Sequence, residues 1–343
     1  MRSPHLRRPH HRPGRRPTAL LSTLSAVVLV AGLGGCAGSG TTSSAGSTET
    51  PNPTPSPTSS PTSSPTSSPT SGPTSTPTPE ALAVGDLAKD PAARKAVARA
   101  VRALLTAGTG TFTVRADLAP VASTREEGSY DIDAQAWAAT RTFDVDGQDL
   151  TAEMLTVDAT SWMRMDAPGW GCWVGAGALQ ATIGVPSAGA PHPAPVIAAS
   201  YLVGREQVGP GTFLATADLV TLVQLLSSKS LVTGELDPES DIPVPATVTL
   251  SDGVLESISV RVRDLLPALE GAGVAAEALA ELRELRRSGG EAARTAEEVL
   301  DGSLEARFAD VGAPVSITAP GPGEVLEEVD EATFEQDLRS CPA

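Results

Sequence analysis

Apolar and polar residues along this chain switch between two periods, and each switch marks an element. After Asp90-Pro91, a capping side chain followed by proline at the first helical position, Val97, Val101, Leu104 and Leu105 recur at helical spacing until Gly108, predicting a helix over 91–107. The pattern then alternates. Phe112, Val114, Ala116 and Leu118 take one side of a strand, Thr111, Thr113, Arg115 and Asp117 the other. A second alternation sets Tyr130, Ile132, Ala134 and Ala136 against Asp131, Asp133 and Gln135; Phe143 and Val145 lead into the Asp146-Gly147 hairpin signal, and Leu150–Val157 and Ser161–Met165 follow. About five successive antiparallel strands with one apolar face result, and that face needs a cover.

Helical spacing returns at Leu219, Leu222, Val223 and Leu226, giving a second helix within 216–228. Strands resume at Thr247–Leu250, turn at Asp252-Gly253 and continue through Ile258, Val260 and Val262. Residues 264–300 read as a helical insertion, with Leu279, Leu282 and Leu285 among Glu and Arg and a break at Gly289-Gly290. Leu304, Ala306 and Phe308, then Val315 and Ile317, read as final strands. The stretch 174–215, rich in Gly, Pro and Ala, gives no periodic signal.

The pattern before residue 80 differs in kind. Arg2, Arg7, Arg8, Arg12, Arg15 and Arg16 precede an apolar run from Ala19 to Gly32, which ends at Leu33-Gly34-Gly35-Cys36. An apolar run of about 14 residues is too short to span a bilayer, which takes about 20, so 1–35 reads as a signal peptide. Small residues directly before Cys36 resemble a lipobox, making Cys36 the acylated first residue of the mature chain and the N-terminal lipid its membrane anchor. Arg15-Arg16 leaves twin-arginine export open, although the residues after it fit poorly. From Cys36 to 79 the chain is almost wholly Ser, Thr, Pro and Gly. With nothing apolar to bury, it reads as a disordered stalk, about 130 Å long if fully polyproline-like. The folded domain is then 80–343, on the extracytoplasmic face of the cell membrane.

Charge and rare residues narrow the chemistry. The full sequence carries a net charge of −16, and the signal peptide would remove six basic residues and no acid. Nucleic acid is not an expected partner. Only His192 survives of four histidines, held between two prolines and read as an exposed loop residue, so neither a serine or cysteine hydrolase nor a His/Cys metal site has its parts. We expect no enzyme, no cofactor and no metal. Asp144, Asp146 and Asp149 faintly resemble a calcium loop but lack the carboxylate at its twelfth position, and read as a solvated hairpin. With Cys36 acylated, Cys172 and Cys341 are the remaining pair, either a disulfide or two thiols buried apart. Trp162, Trp170 and Trp173 around Cys172 are either an aromatic rim of a ligand site or membrane-touching edge, or packing at the end of the sheet. The acids from Glu324 to Glu335 read as a charged tail or a surface for an envelope protein partner.

Helix, strands, helix and strands behind a lipobox and a Ser/Thr/Pro stalk resemble the LolA/LppX-like lipoproteins of actinobacteria. Three places carry the likeness: Val101–Leu105 leading into Gly110–Val114, Trp162–Met165 leading to Trp170 and Trp173, and Arg307–Ile317 before a Pro-rich tail. It covers about 90–263 and 303–323; the 264–300 insertion, the 174–215 stretch and the acidic tail depart from it. The resemblance implies an α+β fold, a curved half-barrel of antiparallel sheet wrapped around helices, and handling of an acyl-lipid or glycolipid. The lipid slot would lie between the helix face of Val97, Val101 and Leu104 and the strand face of Phe112, Val114, Ile258 and Val260. An apolar concave face of this kind either encloses such a slot or fills itself. Small side chains and 3% aromatic content lean toward the filled case, a surface-tethered interaction or sensor domain.

Overall fold

The first helix, α1 (Pro91–Ala107), forms where its caps place it: the Asp90 carboxylate accepts from Ala92 N at 2.8 Å, and Gly108 closes the last turn at φ 75°. The structure is a computed structural model and describes residues 81–118, 122–145, 148–166, 171–175, 192–226, 241–274 and 276–326. Positions 1–80, Asp146-Gly147, Trp170, Cys341 and the acids beyond Leu326 lie outside the described residues, as do the side chains of Asp144 and Asp149.

From Gly108 the chain enters a meander of β1 (Thr109–Leu118), β2 (Ala122–Asp131), β3 (Ala136–Val145), β4 (Gln148–Val157), β5 (Thr160–Asp166) and β6 (Trp173–Gly175). A second meander follows: α2 (Ala194–Ser200), β7 (Val203–Gly209), β8 (Thr212–Asp218), α3 (Leu219–Leu226), β9 (Pro243–Ser251), β10 (Val254–Arg261), α4 (Val262–Ala272), α5 (Ala276–Ser288), α6 (Gly290–Asp301) and β11 (Ser303–Ala309). The two join through the antiparallel pair β1·β11, and a short β12 (Val325–Leu326) adds parallel to β6. The result is an α+β fold on one twelve-stranded, mainly antiparallel sheet. Its order is β12-β6-β5-β4-β3-β2-β1-β11-β10-β9-β8-β7, open at both edges.

Two expectations are corrected here. Residues 130–136 are not one strand but the turn between two: β2 ends at Asp131, whose carboxylate accepts from Ala134 N at 2.9 Å, Gln135 turns the chain at φ 48°, and β3 begins at Ala136. The alternation there was produced by a tight turn, and the strand that precedes it, Ala122–Asp131, carries too many charges on both faces to alternate clearly. Val315 and Ile317 join no ladder. They lie in an extended segment bounded by Pro314 and Pro320, and their half-burial alternates with exposed Ser316 and Thr318. The 174–215 stretch, which gave no periodic signal, holds α2, β7 and most of β8; α2 is one short helix of mainly small residues, and register shifts break the alternation of β7. Helix α3 falls within the expected 216–228, as Leu219–Leu226, with the Asp218 carboxylate accepting from Thr221 N at 3.0 Å. The helical insertion forms as expected and spans α4 to α6, from Val262 to Asp301.

Burial divides the sheet in two. Over β8–β11 the inner face is apolar: Phe213, Ala215, Val244, Val248, Ile258 and Leu304 are all at most 5% exposed. Helices α1 to α4 pack on this half. Gly204 lets α1 approach β7, since a Cβ there would stand 2.4 Å from Ala93 O. Over β2–β5 the same face mixes Tyr130, Trp137, Ala139 and Met154 with the buried polar side chains Glu126, Arg141, Thr156 and Ser161.

Candidate functional site

The residues expected to line a lipid slot do come together. Register places Phe112 opposite Phe308 and Val114 opposite Ala306, while Ile258 faces Ala306 and Val260 faces Leu304, so β11 bridges the two sequence-distant pairs. From above, α1 supplies Val97 and Leu104, both 0% exposed, and Val101 at 8%. All seven belong to one continuous cluster of buried side chains. The strand positions Phe112, Val114, Ile258 and Val260 are between 2% and 4% exposed.

On β2 and β3 the inner face carries an ion pair. Arg141 Nε donates to Glu126 Oε2 at 2.6 Å, with side chains 8% and 6% exposed. They sit cross-strand in the row Val114, Glu126, Arg141, Ala152, Met165. Two rows further on the same face, Thr156 and Ser161 share a buried hydroxyl hydrogen bond at 2.8 Å. Nearby Tyr130 is fully buried, its ring centroid 6.5 Å from that of Phe112. Burial pushes its phenol up to about 12, because the phenolate would lose its hydration. Its hydroxyl has no hydrogen-bond partner among the described residues.

The opposite, outer face of β1–β5 holds a cavity of about 560 Å³. Its floor is the outward row of the meander, including Thr111, Ser129, Ala138, Thr140 and Leu155, and its wall is Ser316–Thr318 of the extended segment after β11. That segment is fixed at both ends. Gly312 N donates to Thr109 O at 2.8 Å and Thr111 Oγ1 to Asp310 Oδ2 at 3.1 Å; at the far end Trp173 N donates to Glu324 O at 2.8 Å. Between these points the segment crosses the meander as a strap. Glu127 and Glu153 also line the cavity and are paired, Arg125 Nε donating to Glu127 at 2.8 Å and Arg164 Nε to Glu153 at 2.6 Å. The Arg164 guanidinium stands 4.9 Å above the Trp173 ring.

The two described tryptophans of the cluster share the outer face, on the adjacent strands β5 and β6. Trp173 lines the outer cavity, and Trp162 lies half-buried in β5 opposite Leu155. Cys172 is 1% exposed and is not a free thiol. His192 departs from its expected exposure: it is half-buried, and its Nδ1 is enclosed without a partner among the described residues. Among those residues no group of His, Cys, Asp and Glu is arranged to hold a metal ion. Sequence reasoning missed the outer cavity because its strap was read as strand and its floor residues as the solvated side of one. The signal was present in the clustering of Thr and Ser on that side. No protein-family model and no curated protein matches this chain.

Proposed function

We propose that this chain is a lipid-anchored envelope protein whose folded domain is a surface-tethered binding module with a filled core. In this reading the signal peptide is cut before Cys36, acylated Cys36 holds the protein at the extracytoplasmic face of the cell membrane, and 36–79 is the stalk. A LolA/LppX-like half-barrel is the finer architecture we propose. The alternation of helices and strands supports it, as does a helical layer packed on one half of the sheet. A Cys172–Cys341 bridge belongs to the same proposal. Two alkylatable thiols in exported protein would sink it.

One observation favours a filled core over a lipid carrier. The seven side chains expected to line the slot are at most 8% exposed and lie in one packed cluster. Side chains already in mutual contact leave an acyl chain nothing to gain by burial there. The domain then acts through its surface and is not an enzyme.

The test is organic extraction of the full-length exported protein, alongside Val101→Trp and Val260→Trp. We expect no stoichiometric lipid, and a lower melting temperature for both variants from overpacking that costs about 1–3 kcal/mol. Stoichiometric acyl lipid that either tryptophan expels, with the fold left cooperative, would establish the lipid carrier instead.

A further inference from the structure

We propose that the cavity between the strap and the outer face of β1–β5 binds a neutral oligosaccharide. This deepens the reading of the domain as a tethered binding module, and assigns that module its ligand class. The volume, about 560 Å³, falls within the roughly 300–1,000 Å³ usual for small-molecule sites. Both surfaces bear short hydroxyl side chains: Thr111, Ser129 and Thr140 on the floor, Ser316 and Thr318 on the wall. Hydroxyls both donate and accept, so they suit a ligand made of hydroxyls.

Three further features match a sugar ring, which has an apolar C–H face and a polar rim. Leu155, Ile317 and the Trp173 indole give the cavity apolar area among the hydroxyls. The carboxylates of Glu127 and Glu153 are held by Arg125 and Arg164, so they are oriented acceptors with their charge compensated. Among the lining residues there is no lysine or arginine, which disfavours a phosphate or carboxylate ligand. The strap itself adds donors and acceptors. Among the described residues, none of its main-chain groups from 314 to 320 bonds to another backbone group. Those of Ser316, Ile317 and Thr318 stand at the cavity wall. Because both ends of the strap are pinned, the site is formed before binding, and less entropy is lost on occupation.

Full-length protein in zwitterionic detergent, titrated calorimetrically with mannotriose, maltotriose and tri-N-acetylglucosamine, tests the assignment. At least one should bind. Ala138→Trp, which puts an indole on the cavity floor, should weaken that binding at least about tenfold. Thr140→Val, a β-branched replacement at an exposed strand position, should weaken it with an unchanged melting temperature and keeps the test decisive if Ala138→Trp disturbs the sheet. The octyl glycoside of the binding sugar separates two sources. Affinity equal to the free sugar indicates a free or wall glycan, and tighter binding that Ala138→Trp also abolishes indicates a glycolipid headgroup. Absence of binding by all three sugars, binding untouched by both variants, or binding only of trilysine or an extended Ala/Ser peptide would overturn the proposal. Those results leave the filled-core reading standing, because that reading depends on extraction and packing alone.

Discussion

The two halves of this sheet are both antiparallel meanders but are held by different physics. On β8–β11 the inner face is continuous hydrocarbon under α1 to α4, and its stability comes from apolar area, which is non-directional. On β2–β5 the same face includes Glu126–Arg141 and Thr156–Ser161, whose contribution depends on each partner staying in place. The covered half tolerates change in proportion to volume lost; the polar half fails when one member of a pair goes. The division also falls where binding capacity falls. Helices close the inner side of the apolar half, whereas the polar half presents a strap and an open cavity on its outer side.

The largest effect should come from breaking the buried pair. Arg141→Ala leaves Glu126 without its cation in a buried site, which costs about 3–5 kcal/mol, whereas Glu126→Leu with Arg141→Met should be neutral or stabilising. Urea unfolding of the two variants measures it, and equal losses in both would remove the distinction between the halves. Next is Leu104→Ala in the apolar half, expected to cost about 2–5 kcal/mol, as large-to-small core changes do. A second substitution across the same cluster, Ile258→Val, should add to it only partly, since contacting residues couple.

Smallest and most specific is the response of Tyr130 to alkali. Its folded phenol is pushed up to about 12 while the unfolded one keeps its ordinary value of 10.0, so between these values the folded state holds a proton that the unfolded state has lost. Stability is therefore intact below pH 10 and falls as pH rises toward 12, by at most about 1.4 kcal/mol per pH unit. Melting temperatures of wild type and Tyr130→Phe from pH 9 to 11.5 should diverge above pH 10, with the variant falling less. Parallel curves would show that Tyr130 ionises in the folded state as freely as in the unfolded one.

Legibility in the sequence followed the same division. Helix α1 was readable to its ends because Asp90, Pro91 and Gly108 act on their own local backbone, and the alternation of Phe112, Val114 and Ala116 marked β1 because its buried face is purely apolar. Where burial is achieved by pairing, pattern misled. Glu126 gave no apolar signal, yet it is 5% exposed, since its partner Arg141 arrives from the next strand. Short elements carried too little periodic contrast to register: α2 is mostly alanine and proline, and β7 shifts register at Arg205 and again at Val208, which breaks its alternation.

What the sequence by itself determined is what neighbouring residues decide among themselves: the helix caps, the tight turns at Asp252-Gly253, the two-residue periods, and the composition contrast that separates 36–79 from the rest. Only the tertiary structure decided which strands meet. That β1 lies against β11, so that Phe112 and Ile258 share one core, depends on a long-range pairing that carries no local mark. The strap is the same case. Val315 and Ile317 alternate like a strand because extended backbone points successive side chains to opposite sides whether or not it is hydrogen-bonded, and only the position of the sheet beneath them makes one side a cavity wall.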